Sequence, residues 1–335
     1  MGHQLISIIT PFKNTAEYLS DCLNSIVNQT YQNWELLIVD DGSTDNSFGI
    51  VQSYADRDHR IHLLKNLGQG IIPALQTAYA ASSGDFITRM DSDDIMHLQK
   101  LEKLNDMLND RGPGHVAVGQ VTYFSEIGIS DGYAKYEAWL NGLTSKGDNF
   151  TELYKECSIP SPCWMVFRED FEKCGGFDYN QYPEDYDLTF RFYQGGLSCI
   201  PCSEVLHLWR DYPTRTSRTH VHYAQNYFLD LKFDYFKKLH FNSTRPLVIW
   251  GAGNKGKHLA KLFIDNAIPF TWMCDNPNKI NKDIYGKNMI HFNAIDQMSR
   301  PQIIVTVANQ DAQHDIRQFM TTRSLKQQAD YFFFC

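Results

Sequence analysis

Three short runs of branched apolar residues, 5–10 (LISIIT), 34–39 (WELLIV) and 85–90 (DFITRM), constrain this chain most, because helix-period segments stand between them. Residues 16–28 put Leu19, Cys22, Leu23, Ile26 and Val27 on one helical face. Residues 61–64 read as a further short strand and 71–82 as a further helix. Strands alternating with helices predict an α/β fold, a mainly parallel sheet between layers of helices. In such sheets ligands bind beyond the carboxyl ends of the strands. Two of these ends are acidic: one runs into Asp40-Asp41-Gly42-Ser43-Thr44-Asp45 and the other into Asp91-Ser92-Asp93-Asp94.

Residues 112–220 are less regular and rich in aromatics. Residues 222–239 predict a long amphipathic helix through Tyr227, Leu231, Tyr235 and Leu239. A polar stretch, Asn242-Ser243-Thr244-Arg245-Pro246, follows. The alternating pattern then restarts with strand 247–250, a Gly-rich turn, helix 256–264 and strand 270–274. This predicts one domain over 1–243, helix 222–239 included, and a small Rossmann-like α/β domain over 244–335. A chain cut near 243 is expected to stay folded.

Composition narrows the function. No apolar run reaches the roughly 18 residues of a membrane helix, and the first residues (MGHQLISIITPF) lack the basic-then-apolar pattern of a secretory signal. The 8 cysteines therefore read as reduced thiols of a cytoplasmic protein. Cys199 and Cys202 form one CxxC pair, two ligands short of a structural zinc site. Residues 1–200 hold 14 basic and 28 acidic residues, a net of −14, and 201–335 hold 17 and 11, a net of +6. The overall charge of −8 argues against nucleic acid as a partner. The acidic part suits metal ions. The basic part reads as a solvated face, with phosphates or an anionic membrane surface as the alternative.

Asp91 and Asp93, two residues apart at a strand end, can face one hard divalent cation, Mn²⁺ or Mg²⁺, shared with a substrate's phosphates. A solvated helix-capping turn is the plainer reading of the same residues. Asp40 can accept hydrogen bonds from a base or ribose. Glu184-Asp185-Tyr186-Asp187 opens a helical stretch, where a carboxylate is either a cap or a base held near the metal. Gly251-Ala252-Gly253-Asn254-Lys255-Gly256 follows a strand and opens a helix, with Asp275 placed 24 residues after Gly251 at a second strand end. That is the dinucleotide fingerprint in its proper context, and it reads either as a second nucleotide site or as a degenerate structural or interaction module.

Segment 6–45, Asn66-Leu67-Gly68, Gly84-Asp85-Phe86-Ile87, Arg89-Met90-Asp91-Ser92-Asp93-Asp94 and Pro183-Glu184-Asp185-Tyr186-Asp187-Leu188 occur in the order found in the family 2 glycosyltransferases. The chain resembles that family from residue 5 to about 220. The tail 209–218 (WRDYPTRTSR) is similar to a bacterial branch whose members can carry a C-terminal Rossmann-like domain. The resemblance implies a GT-A fold and an inverting enzyme that uses a nucleotide-diphosphate sugar, with UDP the expected nucleotide. It implies that Thr10, Pro11 and Phe12 wall the nucleotide pocket and that Asp40 contacts base or ribose. Asp91 and Asp93 would hold ribose and metal, and Asp185 would be the catalytic base. The implied acceptor is a growing bacterial surface glycan or its lipid-linked precursor. At most this calls for peripheral contact with the inner face of the membrane, and self-association remains open.

Two departures matter. Relatives place a metal-binding His in the tail where this chain has Tyr212, and His207 is the substitute at hand. Relatives carry Ala-Arg-Asn where this chain has Ala74-Leu75-Gln76, so a phosphate-contacting arginine must come from Arg89, Arg210, Arg215 or Arg218. Surface salt bridges are the plain alternative for each. Glu184 is the neighbour to separate from Asp185, and Asp187 is the next candidate base. Tyr133, Tyr136, Trp139, Tyr154 and Trp164 lie where an acceptor is expected, with three of the five expected in the core. A nicotinamide-dependent oxidoreductase and a non-catalytic sugar-nucleotide-binding module are the rival readings.

Overall fold

The structure is a computed structural model and describes residues 4–219 and 228–335. By its internal contacts the chain divides into two compact units. One comprises Met1–Phe150 and Ser158–Thr219; the other comprises Thr151–Cys157 and His220–Cys335.

In the first unit the elements run β1 (Ile6–Phe12), α1 (Leu19–Val27), β2 (Trp34–Asp40), α2 (Ser47–Ala55), β3 (Ile61–Lys65), α3 (Ile71–Ala80) and β4 (Phe86–Arg89). They continue with β5 (Ile95–Met96), α4 (Lys100–Arg111), β6 (His115–Val118), β7 (Gln120–Phe124), α5 (Asp131–Thr144), β8 (Trp164–Phe167) and α6 (Arg168–Lys173). The last are α7 (Glu184–Gln194), β9 (Ser198–Ile200), β10 (Val205–Arg210) and the short turn α8 (Thr216–Thr219). The main sheet has the order β3-β2-β1-β4-β8-β6-β9. Strands β3, β2, β1 and β4 are parallel, β8 is antiparallel to both β4 and β6, and β9 is parallel to β6. The mixed, mainly parallel α/β sheet is thus the one expected. A second sheet sets β10 between β5 and β7.

Alternation along the strands divides the core. Ile6, Ile8, Leu36, Ile38 and Phe86 face one cluster with Leu19, Leu23, Leu101 and Leu104, while Ile9, Leu37, Val39 and Ile87 face another with Ala74, Leu75 and Ala78. Each strand is apolar on both faces because helices cover both. Strand β1 runs through Pro11, where an end was expected. It pairs with β2 as far as Phe12 but with β4 only as far as Ile9. The proline's missing N–H thus falls where one neighbour has already turned away. The irregular middle resolves into strands of 3–6 residues, too short to stand out by period.

The second unit carries α9 (Leu229–Leu239), β11 (Leu247–Trp250), α10 (Asn254–Asp265), β12 (Thr271–Cys274), β13 (Asp283–Ile284), β14 (Lys287–Asn288), β15 (Ile290–His291), β16 (Gln302–Val305), α11 (Gln310–Thr322) and β17 (Tyr331–Phe333). Strands β15-β12-β11-β16-β17 form an all-parallel sheet, and β13 and β14 pair as a hairpin. The beginning of the helix expected over 222–239, with Tyr227, lies outside the described residues.

The division differs from a single cut near 243. Helix α9 belongs to the second unit, where Phe236 meets Phe263, Phe332 and Phe334 edge-on. Segment 151–157 belongs there too: Tyr154 is buried and stacked on Phe334 at 4.8 Å, and Lys155 gives its carbonyl to Lys232 at 2.9 Å. The polar break marks a turn inside one core, and only the aromatic packing on either side reveals that. Truncation at 243 strips partners from Tyr154, Phe233 and Phe236. We predict that residues 1–243 are aggregation-prone compared with the full chain, measured by size-exclusion chromatography of both. A monodisperse, cooperatively melting fragment contradicts this.

Candidate active site

The candidate residues gather at the carboxyl ends of the parallel strands of the first unit. At the end of β2, Asp40 accepts the Ser43 N–H at 2.9 Å and so shapes the turn that follows. The neighbouring Asp41 accepts from Asn66 Nδ2 at 2.6 Å and from the Gly70 N–H at 2.9 Å, tying β2 to the Asn66-Leu67-Gly68 loop. Thr10 and Phe12 are buried and Pro11 is partly exposed. Phe12 packs within the apolar cluster, and Thr10 Oγ1 is buried without a hydrogen-bond partner.

After β4, Arg89 organises the carboxylates. Its Nε meets Asp91 Oδ1 at 3.1 Å, and its Nη1 donates to Glu184 Oε1 at 2.9 Å. This buried guanidinium joins the Asp91-Ser92-Asp93-Asp94 turn to the first turn of α7. Glu184 is buried and committed to Arg89, whereas Asp185 beside it keeps partial access. Burial first, then the Glu184 charge, pushes the Asp185 carboxyl well above the usual carboxylate range; Arg89 pulls the other way. Asp187 is buried and paired to Arg191 Nε at 2.7 Å, while Arg191 Nη1 holds the Cys174 and Gly176 carbonyls. Asp187 therefore braces α7.

Asp93 accepts the Tyr212 hydroxyl at 2.9 Å on Oδ2. Burial and the adjacent Asp94 push Asp93 up to about 7, against the pull of Arg215. Carboxylates thus outweigh cations at this turn, which is the imbalance a divalent cation relieves. The donor set, two carboxylates of hard oxygen ligands, fits Mn²⁺ or Mg²⁺. Among the described residues no cluster of three or more His, Cys, Asp or Glu side chains is arranged as a metal cage.

The other expected contacts separate by their partners. Arg210 is committed to the Asp93 carbonyl at 2.8 Å and to Asp21 at 2.9 Å. Arg218 grips Asp211 through two bonds, at 2.7 and 2.6 Å. Arg215 is different. It is 9 % exposed, lies 5.1 Å from the Trp209 ring centroid and makes no ion pair with a carboxylate among the described residues, though Asp93, Asp94 and Asp91 all act on its charge. His207 is wholly buried with both ring nitrogens engaged, Nε2 by Asp94 at 3.0 Å and Nδ1 by Lys100 at 3.3 Å. It has no nitrogen left for a metal. Trp164 is a core residue, stacked on Phe171 at 5.9 Å, and an acceptor contact through its ring is ruled out by that burial. Tyr133, Tyr136 and Trp139 sit partly buried against the apolar cluster.

In the second unit Gly251 has φ +128°, and a Cβ there would collide with Thr306 Oγ1; Gly256 is backed by the Gly251 carbonyl. These two glycines allow close packing of β11, α10 and the strand beside them. Gly253 faces open space before α10, and Asp275 follows β12 exposed. Asp94 and Lys100 escaped the sequence reading. The signal for Asp94 was its place beside the Asp91/Asp93 pair, and nothing in the sequence marks Lys100 as buried.

Residues 7–175 match the family described as Glycosyl transferase family 2, about half of the chain. The chain is similar to the Escherichia coli UDP-Glc:alpha-D-GlcNAc-diphosphoundecaprenol beta-1,3-glucosyltransferase WfgD, 42% identical over 166 residues, which cover 48% of this chain and 58% of that one. In structure it is similar to S. aureus TarS 1-349 in complex with UDP-GlcNAc, at a TM-score of 0.54 and 16% identity over 77% of this chain and 71% of that one. It is likewise similar to the mannosyltransferase PcManGT of Pyrobaculum calidifontis in complex with GDP-Man and Mn²⁺, at a TM-score of 0.55 and 18% identity over 77% and 69% of the two chains. These structural likenesses speak to the fold, which is that of the GT-A glycosyltransferases. Against several curated glycosyltransferases of Streptococcus pneumoniae, Haemophilus influenzae and Bacillus subtilis, the chain spans only 30–45% of their length. The acidic strand ends and the Arg89-linked carboxylates lie in the unit that holds the matched segment, and on that match the chain belongs to glycosyl transferase family 2.

Proposed function

We propose that the chain transfers a sugar, with inversion, from a UDP-sugar to a hydroxyl of a glycan or lipid-linked glycan. The observation that carries this is the Arg89 bridge. It links Asp91, read as a donor-side carboxylate, to Glu184, the neighbour of Asp185, across distant parts of the sequence. The relative named for UDP-Glc and a diphosphoundecaprenol-linked acceptor supports the choice of donor and acceptor class.

Asp40 and the backbone around Thr10 and Pro11 form the nucleotide side. Asp91 and Asp93 would hold Mn²⁺ or Mg²⁺, which when bound neutralises charge on the departing diphosphate. Asp185, partly open and raised in pKa, takes the proton of the acceptor hydroxyl as that oxygen attacks the anomeric carbon opposite the diphosphate. Arg215, uncommitted to any described carboxylate, meets the diphosphate oxygens; a guanidinium suits that geometry.

The test compares Arg215→Met with Arg218→Met in UDP titrations with Mn²⁺ present. Loss of a charge-assisted hydrogen bond, worth about 1.5–3 kcal/mol, predicts a roughly 10–100-fold weaker affinity for the first. The second loses its clamp on Asp211 and is expected to change affinity far less. Equal affinity of Arg215→Met and the unaltered protein removes Arg215 from the donor site.

A further inference from the structure

Beneath the Asp91/Asp93 turn lies a buried polar chain that the mechanism above leaves unused. Lys100, His207 and Asp94 are all completely buried. Lys100 Nζ donates to the Pro162 carbonyl and lies 3.3 Å from His207 Nδ1, and His207 Nε2 lies 3.0 Å from Asp94 Oδ2. With Lys100 as an ammonium, which donates only, and Asp94 as a carboxylate, which accepts only, the arrangement is that Lys100 donates to Nδ1 and Nε2–H donates to Asp94. Burial and the Lys100 charge hold the imidazole neutral. The other Asp94 oxygen accepts the Arg210 N–H at 2.8 Å, and Arg210 Nε returns to the Asp93 carbonyl at 2.8 Å. Tyr212, two residues past Arg210, bonds the Asp93 carboxylate.

We propose that Lys100 and His207 are positioning residues for the donor site, acting through Asp94 to fix the backbone and carboxylate of Asp93. The inference rests on the donor reading above. Asp94 accepts the Arg210 N–H at the end of β10 on one oxygen and meets the His207 side chain of the same strand with the other. Its orientation therefore decides where Arg210 and Tyr212 hold Asp93.

The experiment titrates UDP in the presence of Mn²⁺ into the full chain and its variants by calorimetry, with the melting temperature recorded for each. His207→Leu is expected to weaken UDP affinity at least tenfold. His207→Gln, whose carbonyl can accept from Lys100 and whose amide can donate to Asp94, is expected to stay within about threefold of the unaltered chain. Lys100→Met keeps the His207–Asp94 bond, removes the cation and is expected to fall between them; it decides the matter if His207→Leu does not fold. A purely structural chain lowers the melting temperature of the variants and leaves the affinity of the folded protein unchanged, which overturns the inference. An unaltered chain that fails to bind UDP with Mn²⁺ overturns the donor reading, and this inference with it. Binding by the unaltered chain with equal affinity in Lys100→Met overturns the inference alone.

Discussion

Asp185→Asn is expected to lower sugar transfer by about 10²–10⁴-fold, the usual contribution of a general base, while affinity for UDP with Mn²⁺ stays near that of the unaltered chain. Asn keeps the shape and still accepts the Tyr186 N–H that Asp185 Oδ1 now takes at 2.8 Å, but it cannot receive a proton. Glu184→Gln is the control, because Glu184 is spent on Arg89. That variant is expected to keep transfer and to report on the base through pH. Asp185 must be ionised to act, and its carboxyl is held above the usual range, so transfer rises with pH beyond the ordinary carboxylate titration. The Glu184 charge is one cause of that elevation, so its removal moves the rising limb to lower pH. A dead Glu184→Gln beside an Asp185→Asn within tenfold of the unaltered rate makes Glu184 the base. Two active variants reduce the pair to a helix cap.

Asp93→Asn is expected to separate stability from binding. The folded-state value of about 7 stands above the ordinary 3.8, so the folded chain binds this proton more tightly than the unfolded one. Between those two values folding takes up a proton, and the stability of the metal-free protein falls as pH rises through that window. Above it the full cost of the buried charge is present. Asn removes that charge, so the metal-free variant is expected to melt higher than the unaltered chain at pH 8. The unaltered chain gains about 2.7 kcal/mol from a ligand at 100 times its dissociation constant. With UDP and Mn²⁺ that gain is expected to vanish in Asp93→Asn and, through loss of the second carboxylate, in Asp91→Ala. Melting curves at pH 8 with and without Mn²⁺ read both effects. A metal-dependent shift that survives in both variants excludes the Asp91/Asp93 pair as the metal ligands.

The sequence by itself determined the sheet of the first unit and the acidic residues that end its strands. Alternating apolar runs with helix-period segments leave few topologies, and ligands gather at the carboxyl ends of parallel strands. Asp40, which ends β2, and Asp91 and Asp93, which follow β4, were legible as strand-end carboxylates for that reason. The parallel sheet after β11 was legible in the same way. What only the tertiary structure decided is which side chains are spent on each other. Four arginines looked equivalent as donors to phosphate, yet Arg89, Arg210 and Arg218 each hold a carboxylate, and Arg215 does not. His207 looked like a spare ligand and is locked between Asp94 and Lys100. Trp164 looked like a sugar platform and is core. The boundary near 243 looked like a linker, yet α9 and segment 151–157 share one aromatic core with the last strand. The physical reason is the same throughout. Periodicity and spacing act within a dozen residues, whereas an ion pair or a buried ring is settled by partners such as Arg89 and Glu184, 95 positions apart, whose meeting no local pattern records.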